Sequence, residues 1–595
     1  MKLSDYVMHF VARLGVRHVF LFPGGGAMHL NDSLGWHPDL TYVCNLHEQA
    51  SAIAAEAYAR VTNTLGVALV TTGPGGTNAI TGVSAAWLDS TPCLFLSGQV
   101  KRSDLTGTRG VRQYGVQEND IVSMVRPITK YAVTVMDPQT IRFHLEQAVH
   151  LARTGRPGPV WIDIPLDVQA SSIDPESLPR FSPEKSEQPS LAVQARKCID
   201  LFNHSERPVI LVGNGVRLAG GEAAFHNLVD RLGIPVLTTR LGVDLIPGSD
   251  DRCLGMPGSI ASRAANFTLQ NADFLLILGA RLDMALIAYA PEKLARGAKK
   301  VMVNIDPAEI GKVGAIIDLP IAGDARQFLE EVLRQADHLD TRERTAWLAR
   351  CRDWRARFPF VLPEHFGAKD GISVYAFSRI LSEELKGGEI ILPGNAGNAC
   401  ELFLTAFQAK PGQRIFHNKG TGAMGFCQPA AIGACLAGEG RPTIAIDGDG
   451  GFQLNIQELE TIRRLNLPIK FFIMDNGGFA SIRASQQAYF HRFTGADGRS
   501  GLTLPDVVKV ARAYRLPALR MAGSRGLRSK IRRVLERPGP VVCDVLIIPD
   551  EPRAPRVVSQ QRPDGSMVSK PLEDMWPFLD REEFRANMLV PPLDP

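Results

Sequence analysis

Val67-Ala68-Leu69-Val70-Thr71-Thr72 runs straight into Gly73-Pro74-Gly75-Gly76, and Thr443-Ile444-Ala445-Ile446-Asp447 runs into Gly448-Asp449-Gly450-Gly451. Each is a short apolar run ending in a glycine-rich turn, the pattern of a strand buried on both faces. Helical spacing follows both turns: Ile80, Val83 and Trp87 after the first, Phe452, Ile456 and Leu459 after the second. Each helix leads to another apolar run, Leu94-Phe95-Leu96 and Phe471-Phe472-Ile473. Further on, Arg156-Pro157-Gly158-Pro159-Val160 and Arg537-Pro538-Gly539-Pro540-Val541 repeat one pentapeptide at a similar remove from the two turns. A matching pentapeptide behind a matching turn marks an internal duplication, with one α/β unit at each end of the chain.

A third unit lies between them. Val209-Ile210-Leu211-Val212 runs into Gly213-Asn214-Gly215, Phe274-Leu275-Leu276-Ile277-Leu278 into Gly279-Ala280-Arg281, and Val301-Met302-Val303-Asn304-Ile305 ends at Asp306-Pro307. Buried strands alternating with helical stretches predict an α/β chain of three doubly wound parallel-sheet domains, the first and third related and the middle one Rossmann-like. The expected limits are 1–170, 190–335 and 371–550, with a tail over 551–595. The stretch 171–190 is rich in Ser, Pro and charge, and 335–370 is polar, with Trp347 and Trp354 suggesting a helix that packs on something. The tail is Pro-rich and carries no periodic pattern.

Composition agrees. A chain of 595 residues, at about 150 per domain, holds three to four domains. The 45% hydrophobic, 22% charged and 7% aromatic content excludes disordered, collagen-like and coiled-coil chains. A net charge of +4 does not suit a nucleic-acid binder of this size. No apolar run approaches the roughly 18 residues of a membrane span. Asp5 and His9 break the opening segment, which does not read as a signal peptide. Nine scattered cysteines without a Cys-x-x-Cys argue against a disulfide framework or structural zinc, and for a reducing cytoplasm.

Ligands of doubly wound sheets sit beyond the carboxyl ends of the strands, where the glycine-rich turns lie. Asp449 stands in one such turn, and Asp475-Asn476-Gly477 closes the next strand. Asp449, Asn476 and a carbonyl near Gly478 offer hard oxygen ligands suited to Mg²⁺ carrying a diphosphate, and the amides of a helix start suit the diphosphate itself. The plain alternative is an Asp/Asn pair that only makes turns. Glu48 opens a helix with a small face, Ala50, Ile53, Ala54, Ala57 and Tyr58. Such a Glu commonly just complements the helix dipole. The Ala-rich face, however, implies close packing that would desolvate Glu48 and fit it for proton transfer.

The chain resembles the thiamine-diphosphate-dependent enzymes of the acetolactate synthase family over nearly its whole length. The motifs are His47-Glu48-Gln49-Ala50, Glu56-Ala57-Tyr58-Ala59-Arg60, Thr72-Gly73-Pro74-Gly75, Ser97-Gly98-Gln99-Val100 and Val116-Gln117-Glu118, then Gly279-Ala280-Arg281, Gly422-Ala423-Met424-Gly425-Phe426 and Gly448-Asp449-Gly450 with Asp475-Asn476 after it. The resemblance implies the thiamine-diphosphate-binding fold for the outer domains. It implies catalytic roles for Glu48, at N1′ of the aminopyrimidine, and for Gln117. Mg²⁺ would be held by Asp449, Asn476 and the Gly478 carbonyl. Gly73, Pro74, Gly75, Gly422, Gly448, Gly450, Gly451 and Ser481 would contact the cofactor, and Met424 would bend it. The cofactor would lie between the first domain of one subunit and the third of another, so a homodimer is the minimum and a homotetramer the expected assembly. The implied reaction is decarboxylation of a 2-oxo acid, pyruvate above all, with transfer of the acyl-anion unit to an acceptor carbonyl.

The middle domain keeps much of the family's FAD pattern at Gly213, Gly215, Thr239, Met256, Gly279, Arg281, Asp306 and Asp324, with Pro257 replacing a usual His. That implies FAD in a non-redox role. Three departures stand out. Ser485 replaces the Trp that selects the acceptor in acetolactate synthases. The loop from Lys101 to Tyr114 is longer and holds Arg102, Arg109 and Arg112, and it reads either as solvated surface or as a cationic lid for an anionic acceptor. The tail carries Met575-Trp576-Pro577-Phe578, which suits a cap on the site or on an interface. Arg109, Arg112 and Ser485 are therefore the candidate acceptor residues. The alternatives are acetyl transfer to a nucleotide-linked ketosugar, a decarboxylase or flavin oxidase of the same fold, and a catalytically silent binding protein.

Overall fold

The computed structural model describes residues 1–184, 190–395, 397–561 and 567–593. In the first unit, β1 (His18–Leu21), β2 (Thr41–Cys44), β3 (Gly66–Val70), β4 (Cys93–Gln99), β5 (Tyr131–Thr134) and β6 (Val160–Pro165) form a parallel sheet in the order β2-β1-β3-β4-β6-β5. The middle unit has β7 (Pro208–Val212), β8 (Val236–Thr238), β9 (Phe274–Leu278), β10 (Lys299–Asn304) and β11 (Leu319–Ala322), ordered β11-β10-β9-β7-β8. The last has β12 (Ile390–Pro393), β13 (Arg414–Ile415), β14 (Thr443–Gly448), β15 (Ile469–Asp475), β16 (Ala518–Met521) and β17 (Val541–Leu546), ordered β13-β12-β14-β15-β17-β16. The first and third sheets share one permutation, so the duplication read from the sequence is a duplication of topology. The repeated pentapeptide leads into β6 in one copy and β17 in the other. Every residue of β3 and β4 is buried, because both faces of a parallel sheet carry helices.

The two glycine-rich segments are helix starts rather than free turns. Gly73, at φ +61°, caps the helix Pro74–Leu88, whose Pro at the first position has its φ preset and no amide to leave unpaired. Gly448 precedes a single turn, Asp449–Phe452. The continuous helix implied by Phe452, Ile456 and Leu459 is interrupted: a 3₁₀ turn, Gln453–Asn455, comes before the helix resumes at Glu458–Arg464. Asn455 sits at that break because its amide is drawn to the Gly425 carbonyl (2.7 Å) and to Gln49 Oε1 (3.0 Å).

The outer units meet through the helix Glu48–Thr62, which packs on Pro74–Leu88 and on Cys427–Ala437 of the third unit. The backbones approach so closely that a Cβ at Gly433 would lie 2.0 Å from the Ala54 carbonyl oxygen, and one at Gly82 would lie 2.4 Å from Ala52 Cβ. Beside this contact the buried Arg60 pairs with Glu56 (2.6 Å) and Asp89 (2.7 Å). Asp89 in turn accepts the amides of Lys419 and Gly420, so the triad spans both units.

The helix Thr345–Arg357 buries Trp347 and Trp354 against the helix Arg263–Gln270, as the two tryptophans suggested; the rings of Phe267 and Trp354 stand 5.6 Å apart. The tail holds more structure than its sequence suggests: β18 (Ser559–Gln561) pairs antiparallel with β19 (Met567–Ser569), and a helix covers Arg581–Ala586. Scattered apolar anchors, Leu572 and Phe584 among them, and polar side chains fix it, which leaves no periodic apolar signature. Asn266 donates to the Leu572 carbonyl (2.8 Å), and Trp354 Nε1 donates to Asn587 (2.9 Å). Met575 is buried against Asn266 of the middle unit. Among the described residues no helix is long and apolar enough to cross a membrane.

Candidate active site

In the third unit the ends of β14 and β15 bring Asp449 and Asn476 together. Asp449 accepts the Gly478 amide on one oxygen and the Gly450 amide on the other, both at 2.9 Å. Gly478 has φ +141°, and a Cβ there would lie 2.4 Å from the Ala496 carbonyl oxygen, so only glycine permits this crossing. Burial, then the neighbouring Asp475, holds the Asp449 carboxyl well above the usual carboxylate range. Asn476 Oδ1 is buried and has no hydrogen-bond partner among the described residues. A carboxylate with a like charge beside it and an orphaned amide oxygen form a donor set for a hard divalent cation, whose charge would reverse the cost of ionising Asp449. Gly450 is as tightly constrained, since a Cβ there would stand 2.2 Å from the Phe479 ring and 3.4 Å from Met424 Cε. Gly422 (φ +65°) and Gly425 (φ +80°) flank the bend that carries Met424. Ser481 lies in the first turn of the helix Ala480–Phe490. The residues present fit Mg²⁺ and a diphosphate.

In the first unit Glu48 begins the helix Glu48–Thr62, capped by His47, whose Nδ1 accepts the Gln49 amide at 3.1 Å. Glu48 is buried, and Asn78 Nδ2 donates to its Oε2 at 3.0 Å. Its Oε1 stands 3.8 Å from where a Cβ on Gly75 would be. Gln117 comes to the same place. It has φ +63°, its carbonyl accepts the Thr72 hydroxyl at 3.2 Å, and a Cβ on Gly73 would meet that carbonyl at 2.7 Å. Sequence reasoning missed what holds Gln117 there. Thr72 also donates to Gln99 Oε1 (2.7 Å), and Gln99 donates to the buried Asp163 (3.2 Å), whose carboxyl burial pushes up to about 7. The available signal was a lone Asp inside the apolar strand Trp161-Ile162-Asp163-Ile164.

Among the described residues, no hydrogen bond or ion pair joins Arg109 or Arg112 to Ser485. Glu118 folds the Arg-rich loop onto itself, accepting from the Thr106 hydroxyl (2.5 Å) and the amides of Tyr114 (2.9 Å) and Gly115 (3.2 Å). Burial alone would raise the Glu118 carboxyl, and these hydrogen bonds outweigh it and lower it. Arg109 spends its donors on that loop, reaching the Leu105 and Thr106 carbonyls, and stacks 4.3 Å from the Tyr114 ring. Arg102 pairs with Asp167 (2.7 Å), and Arg112 is exposed. Ser485 is exposed and donates to the Ile482 carbonyl (3.0 Å).

Beyond the ends of β7–β10 lies a cavity of about 550 Å³ lined by Gly215, Thr239, Gly279, Arg281 and Asp324, with Arg153, Lys419 and Gly420 on the facing walls. Asn214 also lines it, and its buried Oδ1 has no partner among the described residues. Gly213 lies under the floor, where a Cβ would stand 2.4 Å from the Gly279 carbonyl oxygen. Arg281 donates to the Leu88 carbonyl (2.7 Å) and to Glu309 (3.2 Å). Asp306 caps the helix Pro307–Gly311 and pairs with Arg156 at 2.9 Å. Met256 lies in the apolar layer of the third unit, away from this lining.

Within the chain, no hydrogen bond or ion pair joins Glu48 to Asp449, Asn476 or Gly478 among the described residues. The units touch beside these groups, where Asn455 donates to Gln49 (3.0 Å) and Asn45 to Glu458 (2.9 Å).

The sequence matches three domain models in order: the thiamine pyrophosphate enzyme N-terminal TPP binding domain over residues 1–124, the central domain over 195–332 and the C-terminal TPP binding domain over 395–545. A probable acetolactate synthase large subunit of Methanocaldococcus jannaschii is 33% identical over 568 residues, 93% of each chain. Chloroplastic acetolactate synthase 1 of Zea mays is 32% identical over 573 residues, 94% of this chain and 87% of that one. The acetolactate synthase large subunit of Cyanidium caldarium is 32% identical over 551 residues, 90% of this chain and 91% of its own.

Proposed function

The chain belongs to the thiamine pyrophosphate enzymes of the acetolactate synthase family, and on that premise we propose that it decarboxylates pyruvate and joins the acyl-anion unit to a second 2-oxo acid. Bound thiamine diphosphate (ThDP) supplies a thiazolium that takes up the electron pair as carbon dioxide leaves. The protein's part is positioning and proton control. Glu48, fixed by Asn78, holds and returns a proton at N1′ of the aminopyrimidine. Gln117, locked through Thr72, Gln99 and Asp163, stands over the Gly73–Gly75 turn. Asp449, Asn476 and the Gly478 carbonyl hold Mg²⁺, and the helix starts at Gly448–Gly451 and Ser481 receive the diphosphate. Met424 presses on the cofactor from beside Gly450.

The observation that carries this reading is the orphaned Asn476 Oδ1 beside a destabilised Asp449 carboxylate, a pair that makes sense around a cation. Val116, next to Gln117, is 86% exposed and Met424 is 39% exposed. Groups beside both clusters face outward, which supports a site completed by a second subunit, a homodimer at least and a homotetramer by family habit. FAD in a non-redox role fits the middle cavity and its unpartnered Asn214. Nine unpaired cysteines suit a reducing cytoplasm. The sheet spans support the domain limits 1–170, 190–335 and 371–550 with a tail beyond. The self-paired Arg109 offers a phosphorylated acceptor little, so a second 2-oxo acid is preferred to a nucleotide-linked ketosugar. Incubation with pyruvate, ThDP and Mg²⁺ followed by mass analysis tests the reading. Acetolactate with released carbon dioxide is expected. Acetaldehyde or acetate alone would make it a decarboxylase or oxidase, and no carbon dioxide would end the proposal.

A further inference from the structure

The root of the tail is tied to the proposed metal site. Arg483 donates to Asp550 (2.9 Å) and the Pro549 carbonyl (3.0 Å), and also to the backbone carbonyl of Asn476 (3.2 Å). Arg553, three residues further on, reaches the same cluster. Its Nη1 lies 2.9 Å from Glu401 Oε2 and 3.5 Å from the Ser481 hydroxyl. That hydroxyl stands 2.9 Å from where a Cβ on Gly397 would be, so the loop carrying Asn398 faces it. Asn398 is 6% exposed, and its Nδ2 has no acceptor among the described residues. The helix Ala480–Phe490 has no side-chain cap, which leaves its first amides open. An orphaned amide, a hydroxyl, uncapped helix amides and a guanidinium thus gather beside Asp449 and Asn476. All of them can donate to one polyanion.

We propose that Arg553 is a diphosphate ligand supplied by the tail, held in waiting by Glu401. The proposal rests on the ThDP reading and adds to it a residue outside the three matched domains. On binding, the guanidinium turns to the phosphate oxygens, where two parallel charge-assisted hydrogen bonds are available. Glu401 is not left unpaired by this move, because Arg240 lies 3.4 Å from its other oxygen. Seating of the tail and binding of the cofactor are then linked, and each strengthens the other by the same factor.

Calorimetric titration of ThDP at saturating Mg²⁺ tests this on the full chain, with thiamine as the phosphate-free control. Arg553→Gln is expected to weaken ThDP binding about tenfold or more, the loss of one charged contact, and to leave thiamine binding unchanged. Arg553→Lys, which keeps the charge without the fork, falls between and guards against a folding artefact. Glu401→Gln, which frees the guanidinium, binds ThDP at least as tightly as wild type, and ThDP slows proteolysis of the tail in wild type but not in Arg553→Gln. Equal ThDP affinity in wild type and Arg553→Gln overturns the proposal. So does a loss in Glu401→Gln as large as in Arg553→Gln, which would make the pair a structural strut. Failure of the wild type to bind ThDP at all would instead remove the functional reading beneath it.

Discussion

Among the described residues Glu48 has one side-chain hydrogen-bond partner, Asn78, and it keeps Oε1 toward the Gly75 backbone. An amide at this position keeps the shape and the packing but cannot carry the proton. Glu48→Gln is therefore expected to retain ThDP binding while kcat falls by about 10²–10⁴. Steady-state rates beside a ThDP titration check this, and wild-type turnover would take Glu48 out of the mechanism. Asp163 gives a second test at the same scale. Burial raises its carboxyl from 3.8 to about 7, so between those pH values the folded chain keeps a proton that the unfolded chain has lost. Stability then falls as pH rises through that window. Asp163→Asn does not titrate, so its melting temperature relative to wild type should rise from pH 5 to pH 8. A difference that is flat with pH would show that Asp163 is not the titrating group.

At the scale of elements, the Glu48–Thr62 helix works because alanine and glycine let three helices touch backbone to backbone, and the buried triad at its end locks the contact. Arg60→Met leaves Glu56 and Asp89 buried without their cation and should cost about 3–5 kcal/mol in denaturant unfolding. A loss below about 1 kcal/mol would mean that the units do not depend on the triad. The same elements show what the sequence made legible. Buried parallel strands are continuous apolar runs, and several glycines at their ends, Gly73, Gly213 and Gly450 among them, leave no room for a Cβ, which would stand 2–3 Å from its neighbours, so the sheets and the duplication could be read. The missed features depend on partners far away in the chain. The helix break at Asn455 is set by Gly425 and Gln49, the folded-in Arg109 by Glu118 twelve residues past Thr106, and the ordered tail by Asn266, Gln270 and Trp354. No local periodicity records such pairings.

At the scale of the whole molecule, the proposed function gives the chain both halves of a ThDP site, and among the described residues no hydrogen bond or ion pair joins Glu48 to Asp449, Asn476 or Gly478. In the proposed reading, the proton-handling half sits in the first unit and the cation half in its duplicate, and the outward-facing Val116 and Met424 are where each half would meet a second copy. The tail binds the middle unit to the root of the third, so its loss should loosen both the middle unit and the diphosphate end of the site. We propose that Glu48 of one subunit and Asp449 of another serve a single carboligating centre. Co-expressing Glu48→Gln with Asp449→Ala and assaying acetolactate from pyruvate tests it most directly. Each variant alone should be nearly inactive. Random pairing in a two-fold symmetric dimer places one intact site in each mixed dimer, so the mixture should recover about a quarter of wild-type activity. Mixed dimers that form but show no recovery, or single variants that keep full activity, would contradict the claim.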